Sequence, residues 1–246
     1  MNLNILGSVT LGVQVILLPT ILVLGGRLDR SRRVPLLAIV GSWLLLLAGL
    51  AAADVFSSQG IGQPLLGIAA TAPIMASVLL RNRSATMRSL MATIPLTLLV
   101  AVHVSRLVGV IFFALHAAGR LPIYFAHSAG WGDIIVGIAS VPLAILVYRR
   151  TRGWWSLLLA WNCLGVADLI VALALGAGSA AGSPIRFIYE EPSSALMGTL
   201  PWFLIPGYLV PLYLVTHVAI FFRLFGANTS TVVHAVEAQS GGHMVI

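Results

Sequence analysis

The sequence predicts an all-α integral membrane protein, a bundle of about seven transmembrane helices with its N-terminus outside and its C-terminus cytoplasmic. Three observations carry this. First, 59% of the 246 residues are hydrophobic and only 9% are charged, against about 25% charged in soluble domains; the chain lacks the polar surface to cover a globule in water. Second, the apolar stretches run to about 20 residues, the length that crosses hydrocarbon as a helix. They lack the alternation of barrel strands, and in hydrocarbon each backbone N–H must be satisfied within its own helix. Third, the basic residues gather at the ends of those stretches, as topology signals do.

The spans are expected at 5–26, 34–56, 65–80, 90–118, 130–148, 154–178 and 201–223. The third is short and interrupted by Pro73; the fourth is long enough to tilt or to emerge from the bilayer. No basic segment precedes the first apolar run, so no cleavable signal is expected and the first span is retained. All 14 basic residues are Arg, and the net charge is +7. Arg27, Arg30, Arg32 and Arg33 follow span one; Arg81, Arg83 and Arg88 follow span three; Arg149, Arg150 and Arg152 follow span five; Arg223 closes span seven. With seven spans these all fall on one side. Only Arg120 and Arg186 fall on the other, while Arg106 lies within a span. The positive-inside rule then orients the chain and suits a bacterial-type cytoplasmic (inner) membrane. Such dispersed arginines make no patch for nucleic acid; the expected partner is the lipid bilayer, with a small polar or anionic ligand a further possibility.

Residues 1–225 read as one transmembrane domain, and the polar, Gly/Ser-containing stretch 226–246 reads as a mobile cytoplasmic tail. The outer connection 179–200 is the longest, and its Phe187, Ile188 and Tyr189 suit either the membrane surface or a cap over an outer cavity. The single Cys163 excludes an intrachain disulfide and a CxxC motif and reads as a packing residue. Gly132–Ala139 (GDIIVGIA) echoes Ala167–Ala174 (ADLIVALA) on adjacent, oppositely running spans. An inverted repeat of the transporter kind and a chance match of apolar residues both account for it.

An ionisable side chain within a span costs about 2.5–3.5 kcal/mol on insertion scales, so each requires a partner or a use. His103, Arg106, Asp168 and His217 lie deepest; His116, Arg120, His127 and Asp133 lie nearer the outer edge. His103 and Arg106, three apart, share a face. At α-helical winding of about 100° per residue, Arg106, Val110, Phe113, Ala117 and Arg120 form one inward stripe. A buried Arg stays charged and needs an anion. Asp168, in mid-span on a face of small residues with Trp161, Gly165, Ala172 and Gly176, is the expected partner, with Asp133 the second choice. The functional reading is a site for an anionic or polar ligand, or a proton-coupled ion pair; the structural reading is an Arg–Asp pair that fixes helix register. Asp133 reads as the N-cap of span five. His217 shares its face with Val210 and Tyr213, and the helical bonding of span seven is expected to break near Pro206 or Pro211, making its outer half a cavity wall.

Two weaker sets of ligands can be drawn. His103 and His217 together present a pair for haem, and His116, His127 and Asp133 an outer metal site. His127 reads as a wetted interfacial residue. A retinal protein is excluded, because the Schiff base needs a Lys. No GxSxG, HExxH, Walker A or dinucleotide fingerprint is present in a fitting context, and Gly25-Gly26 reads as the end of span one. Three classes of function remain: a small-molecule or ion translocator or binding protein; a membrane enzyme using Asp133, Asp168 and a His as acid and base on a lipid-soluble substrate; and a haem-binding or cofactor-free subunit of a larger complex.

Overall fold

The structure, a computed structural model, describes residues 2–57 and 60–240, with the backbone alone described for Thr86 and for 227–240. Among the described residues seven helical segments are long and apolar enough to cross a membrane. The chain is an integral, multi-pass membrane protein. Its outward faces carry apolar side chains such as Ile16, Ile39, Leu45 and Ile138, which only lipid can cover without cost.

Helix α1 (Leu3–Gly25) begins where the Asn2 side chain accepts from the backbone N–H of Asn4 (3.0 Å), and α2 (Arg30–Ala52) returns beside it. Helix α3 (Gly62–Arg83) runs through Pro73 and is longer than the sequence suggested. The Ser84 hydroxyl then accepts from Met87 N–H (3.3 Å) and opens a separate short helix, α4 (Ala85–Thr93). The fourth span therefore starts at Leu96, not at 90. Pro95 disfavours helical backbone at Ile94, which splits the long apolar run in two.

That span is a composite. Helix α5 (Leu96–Ala101) passes into an eight-residue 3-10 segment, Val102–Gly109, and then into α6 (Val110–Ala117). Such 3-10 runs rarely exceed three or four residues. Three-residue winding aligns His103, Arg106 and Gly109 on one buried face. It also overturns the expected stripe. Eight residues at about 120° rather than about 100° turn the later part of the span through roughly 160° more. Val110 is consequently 59% exposed and Ala117 exposed, while Ile111, Phe112 and Leu115 face inward.

Helix α7 (Ile123–Arg149) starts seven residues before the expected span, so Asp133 is interior to it and caps nothing. Helix α8 (Trp154–Ser179) runs antiparallel to α7 and packs along it. Cys163, expected to pack, faces outward instead. The seventh span opens with a π-helical turn, Ile205–Leu209, in which Val210 N–H bonds Ile205 O, and continues as α9 (Val210–Ser240). The expected break at Pro206 is present. The backbone is helical across part of the expected mobile tail, and residues 241–246 of that tail lie outside the described residues.

Apart from Arg106, the arginines segregate to the two ends of the bundle. At one end Arg223 donates to Ala92 O and Ile94 O (3.0 and 2.8 Å), Arg27 N–H bonds Thr93 O, and Arg81 stacks on Phe222. At the other, Arg120 donates to Asn4 Oδ1 (2.9 Å).

Candidate functional site

The centre of the bundle holds one cation. Arg106, 0% exposed, is carried by the 3-10 segment, which packs closely on α7. Its Nε donates to Asp133 Oδ1 at 2.7 Å, and one Nη donates to Asp168 Oδ2. Both expected partners are thus engaged at once, one from α7 and one from α8. They are the matching positions of the sequence echo. The other Nη, Nη1, has no hydrogen-bond partner among the described residues.

Glycines make this convergence possible. A Cβ at Gly132 would collide with the Asp168 carboxylate, and one at Gly109 would collide with Asp133. At Gly137 the α7 backbone approaches the 3-10 segment closely enough that a Cβ would stand 3.2 Å from Leu107 N. Small residues let membrane helices approach to polar contact, and here they do so around a single guanidinium.

A second polar layer lies beside the triad. Thr216 donates its hydroxyl to Tyr213 O (2.7 Å) and so accepts from His103 Nε2 (3.0 Å). Asn162 donates Nδ2 to His217 O (3.1 Å), which directs its Oδ1 at His217 Nδ1 (2.8 Å). Each of these two rings leaves one nitrogen, His103 Nδ1 and His217 Nε2, without a hydrogen-bond partner among the described residues. Ser105 bonds Val102 O (2.6 Å) and accepts from the Tyr213 hydroxyl (2.8 Å). Gln14 of α1 donates to Ser105 O (2.5 Å) and to the Tyr213 hydroxyl (3.3 Å). The sequence reading missed Gln14, Ser105, Asn162 and Thr216. Their signal was present: a neutral amide or hydroxyl in an apolar span also needs a partner.

The other expected ligands separate from this centre. Arg120 belongs to the end of the bundle that carries Asn4, over the Trp202 ring. His116 bonds Leu121 O (3.0 Å) and meets His127 edge to face, centroids 5.3 Å apart, while Asp133 is committed to Arg106. Among the described residues no three His, Cys, Asp or Glu group as metal ligands. The haem pair does not fit either. The His103 and His217 ring centroids are 4.2 Å apart, with Trp161 and Tyr213 against them. Rings in direct contact leave no layer for a macrocycle between them.

Between the triad and the connection 179–200 lies a mostly apolar cavity of about 280 Å³. Its walls are α3 (Leu66, Ala70), α8 (Leu169, Ala172) and the π turn (Ile205, Pro206). Ile185, Ser194 and Met197 of the connection 179–200 line it too, so part of that connection caps the cavity. Among the described residues Asp133 is the sole charged one lining it.

Residues 63–225, which include the triad and both histidines, match the family described as Domain of unknown function (DUF8737). The chain belongs to this family. Neither a curated protein nor a solved structure matches it. The family region begins at the cavity wall in α3 and leaves out Gln14, the α1 residue that bonds Tyr213.

Proposed function

We propose that this protein is a small-molecule translocator or binding protein of a bacterial-type cytoplasmic membrane, oriented with its arginine-rich end towards the cytoplasm. Its ligand sits in the cavity and is anchored by Asp133, which Arg106 holds in place. The observation that carries this reading is Asp133. Among the described residues it is the one charged group lining a mostly apolar cavity, and it is held in place by Arg106. Pockets that bind small molecules are mostly apolar with a few fixed polar groups, and an ionisable residue at membrane depth marks a functional site by default. The π turn supports the same reading, since broken helix at this depth is tolerated where it lines a cavity and π turns recur at functional sites.

The enzyme alternative needs a second titratable group beside the substrate. Neither His103 nor His217 lines the cavity, so the geometry favours binding over acid–base turnover.

The test is extraction of the protein with its surrounding lipid, followed by identification of retained small molecules. A compound held by the wild type and lost from both Asp133→Asn and Ala172→Phe is the expected result. Turnover of a lipid-soluble compound that stops in Asp168→Asn would replace this reading with the enzyme. Retention of nothing specific would leave a subunit without a ligand of its own.

A further inference from the structure

The cavity has a side as well as a floor. Helix α3 packs chiefly on α9, the π turn and α4, whereas α8 packs on α7 and α9; the cavity is the gap between α3 and α8. Gly67 and Thr71 on one wall and Ala174 on the other are exposed residues that also line the cavity. They belong to membrane-length helices, so on the membrane reading this opening gives onto lipid. A molecule dissolved in the bilayer can enter here without crossing the outer connection.

The floor selects by charge. Arg106 carries one positive charge and meets two carboxylates, so the ionised triad has a formal excess of one negative charge. Asp133 gives only Oδ1 to Arg106; Oδ2 accepts no hydrogen bond from the described residues. An anionic head would meet that carboxylate before reaching Arg106, which does not line the cavity. A cationic head would restore neutrality in a low-dielectric site, where charge–charge terms are several-fold stronger than in water.

Resting on the binding-site reading above, we propose that the cavity takes a lipid-soluble amine: an apolar body entering between α3 and α8, with a protonated nitrogen on Asp133. The volume of about 280 Å³ sets a body on the order of ten heavy atoms, taking roughly 30 Å³ each as for liquid water.

Octylamine, octanol and octanoate share one chain and differ in head charge. Each is titrated by calorimetry into the full-length protein in zwitterionic nanodiscs, with empty nanodiscs subtracted. The expected result is octylamine binding at least tenfold more tightly than octanol, with octanoate weakest. Asp133→Asn should bring octylamine down to the level of octanol, and Ala172→Phe should abolish binding of both. Equal binding of octylamine and octanol, or tightest binding of octanoate, overturns the amine while leaving a cavity that binds ligand. No binding of any of the three overturns the amine and the binding-site reading together. The wild-type comparison and Ala172→Phe leave the ion pairs untouched, so the proposal stays exposed to refutation if Asp133→Asn fails to fold.

Discussion

Asp133 and Asp168 stand on neighbouring antiparallel helices and bond the same guanidinium, Arg106 Nε serving the first and an Nη the second. The arrangement ties α7, α8 and the fourth span to one buried cation. Removing that cation leaves two carboxylates facing each other, and breaking a buried pair costs about 3–5 kcal/mol. Arg106→Leu is therefore expected to lower the thermal unfolding midpoint in detergent sharply. Adding Asp133→Asn and Asp168→Asn to the same chain should recover most of the loss. If the triple variant is no more stable than Arg106→Leu, the ion pairs are not what holds these helices.

Gly132→Ala places a methyl group in the space of the Asp168 carboxylate. Overpacking of this kind costs about 1–3 kcal/mol. Gly41 on α2 has open space around it, and Gly41→Ala should be neutral or stabilising by up to about 1 kcal/mol. Comparing the two variants by thermal unfolding separates close approach from helix propensity. Equal midpoints would contradict the packing described here.

Asn162→Leu takes both hydrogen bonds from His217, one to its Nδ1 and one to its carbonyl. A buried polar group left without a partner costs about 1–3 kcal/mol. The stability loss should be accompanied by a changed His217 Nδ1–H signal in nitrogen-edited NMR, with Thr216-bonded His103 less affected. An unchanged His217 signal would mean that Asn162 does not fix its tautomer.

Reporter fusions test the orientation. A periplasm-active reporter at the N-terminus and a cytoplasm-active reporter at the C-terminus should both work, and the reverse pair should both fail. Activity of one reporter type at both ends would require an even number of crossings and would remove the sidedness inferred from the arginines.

Much of the centre was legible in the sequence because hydrocarbon leaves few choices. Arg106 had to find an anion, Asp168 was the mid-span carboxylate on a small-residue face, and Pro206 had to interrupt its span. What failed depended on winding and on boundaries. The inward stripe through Val110 and Ala117 assumed α-helical rotation, and nothing in His103–Gly109 announces three-residue winding. Asp133 read as a cap because Tyr124, Phe125 and His127 resemble an interfacial connection; they are the first turns of α7. Cys163 read as packing because apolar character does not distinguish a lipid-facing position from a buried one. Gln14 and Asn162 carry no charge to mark them within an apolar span, although a buried amide has the same obligation to pair.

The 3-10 segment also changes the reach of its span. At about 2.0 Å of rise per residue instead of about 1.5 Å, its eight residues extend roughly 4 Å further than α-helix would. Relaxation to ordinary α-helix would shorten the fourth span and rotate α6 in a single screw displacement. That motion would drag Arg106 along the membrane normal, out of register with two carboxylates anchored on helices that do not change length.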